Sequence, residues 1–258
     1  MKRITIVLGL IGLMVFASCK KEKELDMTVM NKTLLDGAVF TEINVTDAWN
    51  VTLVQDDQNT GVNLEYSAFL EEYLDVRQTD NALGIGFTTK LDIPSNTVMN
   101  AVVHVKSIEK ITLDDASICR GDTFTGNICI ILDGASQLVN FNVSGGFHEM
   151  QLSQASDFKG NLTADSLNIV MNDGSRMVTY GGQVQRLRMR FSDNCKLNMI
   201  HTPTDEAFVA LEKGSEATLH VDTLLKGSLR EASTVYLQGT PDIDIDCDDS
   251  SSIQPFNK

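Results

Sequence analysis

Three arginines at alternating positions are the residues in this sequence best placed to bind a ligand. Arg186, Arg188 and Arg190 lie within the segment QRLRMRF. In a β-strand their guanidinium groups project from one face, because alternate side chains of a strand point to the same side. Guanidinium groups bind carboxylates and phosphates through paired hydrogen bonds. The triplet therefore predicts a site for an acidic ligand or partner. The alternative is plain solvent exposure, with pairing to acids such as Glu206.

Acidic residues recur in turn-like segments such as LDDAS and CDDSS. They are Asp114, Asp115, Asp133, Asp173, Asp193, Glu212, Glu231, Asp248 and Asp249. Calcium binds six to eight oxygens, so bridging ions are one interpretation. The glycine-rich nonapeptide of calcium-binding β-rolls is absent, and a solvated edge that resists sideways aggregation is the other interpretation. We predict no metal site and no cofactor, and the sequence leaves calcium binding at these acids open.

Residues with catalytic chemistry show no recognisable motif. The four histidines, His104, His148, His201 and His220, are dispersed, and the sequence contains no HExxH, GxSxG or phosphate-binding glycine loop. His148 falls among apolar positions, which favours a packed histidine over a ligand. Four cysteines, Cys119, Cys129, Cys195 and Cys247, form no CxxC pair and are expected to be free thiols. We therefore predict no catalytic residues.

Residues 1–18 have the features of an export signal. Lys2 and Arg3 precede an uncharged apolar run that is too short for a membrane-spanning helix of about 20 residues. The segment FAS followed by Cys19 is similar to a bacterial lipobox, which predicts cleavage before Cys19 and lipid on its thiol. Plain secretion with cleavage nearby is the alternative. The charged segment CKKEKELD then indicates a flexible tether over residues 19–37.

The chain is strongly acidic. Removal of residues 1–18 takes two of the 21 basic residues and none of the 35 acidic ones, which leaves a net charge of −16. Nucleic acid is therefore disfavoured as a partner, since phosphate binding depends on concentrated Lys and Arg. Because 42% of the residues are hydrophobic, the chain can bury a substantial core.

A segment of 18–20 residues recurs through the second half of the chain. Each copy closes with a small residue, namely Ser117, Ser136, Ser156, Ser175, Cys195, Ser215, Ser233 and Ser251. The residues four places earlier are Leu113, Leu132, Leu152, Met171, Phe191, Leu211, Leu229 and Cys247. Polar residues are common at the alternate positions, so the apolar period is two, as in a strand.

This repeat predicts an all-β fold, a parallel β-helix with 18–20 residues per turn. One turn is too short to bury its own apolar face, whereas stacked turns bury it by piling like side chains into ladders. The small residue before each closing residue suits a tight corner, and the closing hydroxyl can bond the corner backbone. The repeat lacks the three- and four-residue apolar spacing of a helical solenoid.

The expected domain spans residues 38–258. Residues 101–258 form the regular turns, and residues 38–100 form an irregular section that caps one end, with a short helix near residues 68–74. Within the turns, the register places Val170, Phe208 and Ala210 beside the arginines. The candidate binding patch therefore comprises Arg186, Arg188, Arg190 and Phe208, partly basic and partly apolar.

The segments FTEINVTDAWNVTLVQ and LDVRQTDNALGIGF, together with the LDGAS-like corners, resemble an exported bacterial family. This is the family of putative auto-transporter adhesins with a head GIN domain, a domain of unknown function. The resemblance runs from about Gly37 to Ile253. It implies a right-handed β-helix in Bacteroidetes-type lipoproteins or secreted proteins, and it carries no catalytic residues.

Three functions fit these observations, and we expect the first. It is a non-enzymatic, lipid-anchored outer-membrane protein, periplasmic or surface-exposed, that acts as an adhesin-like or scaffold module for a protein or glycan. The second is a polysaccharide-active β-helix enzyme that uses the acids and the arginines, although an acidic protein repels acidic glycans. The third is a small-ligand or lipid-binding envelope protein that uses the surface around Phe208. The sequence leaves the oligomeric state open.

Overall fold

The computed structural model describes residues 25–257, which form a β-solenoid of about seven turns with parallel stacked strands. The signal peptide and Cys19 lie outside the described residues. The strands are β1 (Val29–Leu34), β2 (Glu42–Val45), β3 (Asn50–Gln55), β4 (Gly61–Ser67), β5 (Leu74–Thr79), β6 (Ala82–Phe87), β7 (Met99–Val105), β8 (Lys110–Leu113), β9 (Ile118–Gly121), β10 (Thr123–Thr125), β11 (Ile128–Leu132), β12 (Gln137–Leu152), β13 (Asp157–Met171), β14 (Arg176–Phe191), β15 (Lys196–Leu211), β16 (Glu216–Leu229), β17 (Thr234–Gln238), β18 (Asp242–Cys247) and β19 (Ser252–Pro255).

The predicted column of apolar side chains is present and continuous. Leu132 pairs in register with Leu113 on one side and Leu152 on the other. The column continues through Met171, Phe191, Leu211, Leu229 and Cys247. Each turn of the solenoid forms one rung of the stack. Every member of the column except Cys247, which lies on the last rung, is at most 2% exposed. Full burial of such a side chain stabilises the fold by about 1.5–3 kcal/mol, so the column is a major source of stability. The handedness stays a prediction.

The repeated corners from Asp115–Ala116 to Glu231–Ala232 are type I′ β-turns, whereas the last corner, Asp249–Ser250, lacks positive φ angles. The two central residues of each type I′ turn have positive φ angles, as at Gly134 (58°) and Ala135 (62°). The turn closes where the Ser136 amide donates to the Asp133 carbonyl over 3.0 Å. Type I′ turns need left-handed backbone at both central positions, which explains why small residues, Asn and Asp recur there.

Neighbouring corners are joined by their own hydrogen bonds. The Ala135 amide donates to the Gln154 carbonyl, and the Ala155 amide donates to the Asp173 carbonyl, both over 2.9 Å. The closing serines from Ser117 to Ser233 are buried, and the Ser175 hydroxyl donates to the Asn172 carbonyl over 2.7 Å. Equivalent bonds are made by Ser136, Ser215 and Ser233, whereas the hydroxyls of Ser117 and Ser156 have no partner in the described part of the chain.

The N-terminal end has a different topology from the regular turns. The rung of β2 and β3 lies between the rung of β6 and β7 and the rung of β8 and β9, with parallel pairing on both sides. The outer rung is covered by antiparallel strands, since β5 pairs with β6 and β4 pairs with β7. Trp49, at the corner of the middle rung, is fully buried and tilts against Phe87.

Two sequence-based boundaries at this end need correction. The charge pattern predicts a tether that extends to residue 37, but Val29–Leu34 form β1, which pairs antiparallel with β4. The reason is that β1 hydrogen-bonds the otherwise free edge of β4, which a charge pattern does not reveal. The helix expected near residues 68–74 is a 3₁₀ turn of three residues, Ala68–Leu70, and Leu74 already begins β5. Among residues 25–257, no helix has the length and apolarity needed to cross a membrane.

His148 is packed inside the solenoid, as its place among apolar positions predicted. The side chain is fully buried. Its Nδ1 accepts from the Ile128 amide at 3.4 Å, and its Nε2 lies 3.3 Å from the Thr163 carbonyl, which fits a neutral ring protonated on Nε2. Burial lowers the pKa of His148, because the charged imidazolium is poorly solvated there.

The corner strain yields a stability prediction. Ala155 is exposed and has φ of 62°. Left-handed backbone costs a non-glycine residue about 1–2 kcal/mol, while glycine adds about 0.5–1 kcal/mol of entropy cost. Ala155→Gly should therefore raise the free energy of unfolding by about 0.5 kcal/mol, and Ala155→Val should lower it by about 1–3 kcal/mol. Urea unfolding measures both. The control Ala210→Gly, on a regular strand, should be destabilising, and the same sign at both alanines would contradict the turn assignment.

The buried histidine yields a pH prediction. The unfolded chain takes up a proton at His148 near pH 6.5, whereas the folded chain resists it. The stability that His148 contributes is thus present above pH 6.5 and is lost as the pH falls below that value. The urea midpoint of the wild type should drop more between pH 7.5 and 5.5 than that of His148→Gln, whose amide can keep both hydrogen bonds. The exposed control His201→Gln should behave as wild type, and an unchanged pH response in His148→Gln would refute this role.

Candidate functional site

The three arginines share the outward face of β14. Leu187 and Met189, which alternate with them, are buried in the core with at most 1% exposure. Arg186, Arg188 and Arg190 are all exposed. The strand is held on both sides, by β13 and by β15, so the three guanidinium groups start from a fixed backbone. A row of cations spaced two residues apart can contact successive anionic groups of one extended ligand.

The neighbouring rungs determine what surrounds each arginine. Glu206 lies opposite Arg186 in register, with 3.4 Å between Oε2 and Nε. Both side chains are well exposed, so this pair adds at most about 1 kcal/mol. Arg188 lies opposite Phe208, and its guanidinium carbon is 5.7 Å from the ring centroid. That distance is within the range of a cation–π contact, which orients Arg188 without neutralising it.

Arg190 has an apolar setting. It lies between Val170 on β13 and Ala210 on β15. Val170 is 37% exposed, so an aliphatic surface lies beside Arg190. Among residues 25–257, neither Arg188 nor Arg190 has a carboxylate within ion-pair distance. We name Arg186, Arg188, Arg190 and Phe208 the arginine patch. The structure brings all four together, and two of its three cations are available to a ligand.

A shallow polar groove adjoins the patch. It is lined by Asp165, Gln185, Arg186 and Asp205, together with Ser166, Glu206 and Thr223. The Gln185 amide donates to Asp165 over 3.2 Å, and the register of β15 with β16 shifts between Thr204 and Glu206. Hydroxyl groups of a ligand could pair with these acceptors and donors. Sequence reasoning missed the groove because its residues come from successive rungs and share no local motif.

An acidic band lies on the same wall, three rungs beyond the arginines. Asp242, Asp244 and Asp246 are exposed on β18, about 14 Å from β14 at the usual strand spacing. Lys226 pairs with Asp244 over 2.6 Å. The alternation in DIDIDC was the sequence signal, yet only the register shows that this triplet and the arginine triplet face the same way.

Three corner acids, Asp114, Asp133 and Asp248, accept hydrogen bonds from amides of their own turns, and Asp133 and Asp248 also bind a neighbouring turn. Asp133 accepts from the Gly134 amide and from the Ser153 hydroxyl, both over 2.9 Å. The carboxylate of Asp248 accepts from the Glu231 amide over 2.6 Å, and this bond holds the pKa of Asp248 well below its usual range. Over residues 25–257, the structure shows no group of three or more side chains able to hold a metal ion.

Comparison with known proteins identifies the family. A family model described as putative auto-transporter adhesin, head GIN domain, matches residues 39–241. The chain belongs to this family. The match begins and ends slightly inside the range that the sequence motifs indicated, and β18 and β19 lie beyond it. A comparison with curated protein sequences gives no match.

Solved structures of similar fold include proteins from Parabacteroides species. A putative adhesin from Parabacteroides merdae has a TM-score of 0.83 at 12% identity, over 89% of this chain and 96% of that one. A putative adhesin from Parabacteroides distasonis has a TM-score of 0.82 at 15% identity, over 90% and 98%. A putative lipid binding protein from the same species has a TM-score of 0.77 at 13% identity, over 90% and 98%. Identities this low establish a shared fold alone.

Proposed function

We propose that this protein is a non-enzymatic, lipid-anchored module of the outer membrane whose arginine patch binds a carboxylate-bearing protein or glycan. Membership in an adhesin-like family supports an envelope role. The observation that carries the proposal is the exposure of Arg188 and Arg190 on a rigid strand with no carboxylate partner among the described residues. Cations held this way lose little conformational freedom when a ligand binds.

The contrast between the acidic chain and its basic arginine patch supports a specific contact between the patch and an acidic partner. Without residues 1–18, which carry two of its 21 basic and none of its 35 acidic residues, the chain has a net charge of −16, so acidic molecules are repelled at long range. An acidic partner must therefore be recognised at short range, where the guanidinium groups and Phe208 lie side by side. The aromatic ring and Val170 favour a partner with apolar surface next to its carboxylates, such as a sugar ring or an aliphatic side chain. Charged contacts at the solvent-exposed edge of an interface add more to the specificity of binding than to its affinity.

A lipid on Cys19 would hold such a module at the membrane. The lipobox-like FAS segment before Cys19 supports anchoring, and five residues separate Cys19 from Leu25, where the described structure begins. A short connection would keep the N-terminal end of the solenoid near the bilayer and leave the arginine patch facing the surroundings. The proposal covers both the periplasmic face and the cell surface.

The binding proposal predicts a charge-specific loss of affinity. Arg188→Glu should weaken binding to an array of sialylated and uronic-acid oligosaccharides and acidic peptides by roughly ten- to a hundredfold, the equivalent of one charge-assisted hydrogen bond. Arg176→Glu is the matched control, because it makes the same charge change on an exposed residue of β14 outside the patch. Equal losses in both variants, or binding that does not change in Arg188→Glu, would refute the patch.

The same array separates the alternative functions. Release of shortened glycans that stops in Arg188→Ala would favour a polysaccharide-active enzyme over a binding module. Lipid that co-purifies with the wild type but not with Phe208→Ser would favour lipid binding. Because Arg188 and Phe208 lie on the surface, both variants should keep the far-ultraviolet circular dichroism of the wild type.

The anchoring proposal predicts that Cys19→Ala abolishes incorporation of labelled palmitate and moves the protein from the membrane to the soluble fraction. The reason is that the Cys19 thiol is the attachment point for the lipid. Cys129→Ala, which changes a partly buried thiol of β11, is the control and should leave both properties unchanged. Lipid that persists in Cys19→Ala would show that this cysteine is not the anchor. Protease treatment of intact cells then distinguishes surface from periplasmic placement.

A further inference from the structure

The last rung of the solenoid is an open sheet edge. β18 pairs with β16 and β19 pairs with β17, and neither strand has a second neighbour within residues 25–257. The opposite end differs, because β4 and β5 cover its outer rung with antiparallel strands. Solenoids need capped ends, since an open rung exposes both backbone hydrogen-bonding groups and core side chains.

Core side chains are exposed at this edge. Ile243 and Ile245 continue the inward columns, yet Ile243 is 52% exposed and Ile245 is only partly buried. One rung earlier, Leu225, which pairs with Ile243, is fully buried. The difference arises because no rung lies over β18. An added strand with apolar residues at the same positions would bury these side chains as the internal rungs do.

The outward-facing side chains of β18 determine which charge a pairing strand should carry. Asp242, Asp244 and Asp246 alternate with the inward residues, so an added parallel strand would place its own outward side chains above them. Within the fold, ion pairs across rungs join opposite charges, as in Lys226 with Asp244 at 2.6 Å and Lys196 with Glu216 at 3.1 Å. Asp246 pairs with Arg230 of the preceding rung in the same way, so within the described structure Asp242 is the member of this triplet without such a partner. The complement of this edge is a strand in which basic and apolar residues alternate.

We propose that β18 is a docking edge for β-strand addition by an extended segment of another protein in which Lys or Arg alternates with apolar residues. Strand addition takes affinity from main-chain hydrogen bonds and specificity from alternate side chains. A second copy of this chain is a poor occupant. Pairing two β18 strands about a two-fold axis would bring six aspartates together on one wall, and like charges directly opposite are destabilising.

Synthetic peptides with the wild-type full chain test this proposal. The peptide KIKIKV, blocked at both ends, places lysines at alternate positions, while its isomer KKKIIV has the same composition without the alternation. Fluorescence anisotropy should show at least tenfold tighter binding of KIKIKV. Two further peptides carry N-methyl groups on either the odd or the even residues. At least one of them should bind tenfold more weakly, because half of the amides face the docking edge.

Two variants locate the site. Asp242→Lys should weaken KIKIKV binding at least tenfold without removing an internal ion pair, whereas the control Asp122→Lys makes the same charge change at an exposed residue far from β18 and should have no effect. Equal binding of KIKIKV and KKKIIV, or full binding by both methylated peptides, would overturn the proposal. A dimer at neutral pH in sedimentation velocity that Asp242→Lys alters would also overturn it, because the edge would then serve a second copy. None of these outcomes involves the arginine patch.

Discussion

The structure depends on the stacking of equivalent residues from one rung to the next. A turn of 18–20 residues cannot bury its apolar side chains alone, so each Leu113-type residue is buried only because the next rung places a similar side chain over it. The type I′ corners fix this register. Their left-handed residues are locally unfavourable, and the hydrogen bonds between neighbouring corners, such as Ala135 to Gln154, compensate.

The strand register also determines which side chains lie on the surface. Because the side-chain period of a strand is two, a slip of one residue would turn Arg186, Arg188 and Arg190 into the core and bring Leu187 and Met189 out. The buried columns thus hold the arginines outward as firmly as they hold the core together. Phe208 lies beside Arg188 for the same reason, since both occupy equivalent positions of adjacent rungs. A binding surface of this kind does not require a pocket. It requires that successive rungs stay in register.

The regular turns could be predicted from the sequence because their period is strict and their inward positions are apolar. The N-terminal end could not, because the rung of β2 and β3 is inserted between rungs that follow it in the chain, and β2 pairs with residues of β8 that lie 68 positions later. The strand Val29–Leu34 follows a charged segment and is stabilised by the edge of β4 rather than by its own pattern. The arginine patch could be predicted because Arg186, Arg188 and Arg190 are close together in the sequence. The polar groove beside it could not, because it depends on contacts between rungs.

Distances along one outward column test the stacking most directly. Lys110, Arg188 and Lys226 belong to this column and are joined by the strand pairings from β8 to β16. With the native cysteines replaced, spin labels on Lys110 and Arg188 should lie about 19 Å apart, and labels on Lys110 and Lys226 about 29 Å apart, because each rung adds about 4.8 Å. Two separations that fail to differ by about 10 Å would contradict the stacked solenoid and every surface assignment that depends on it.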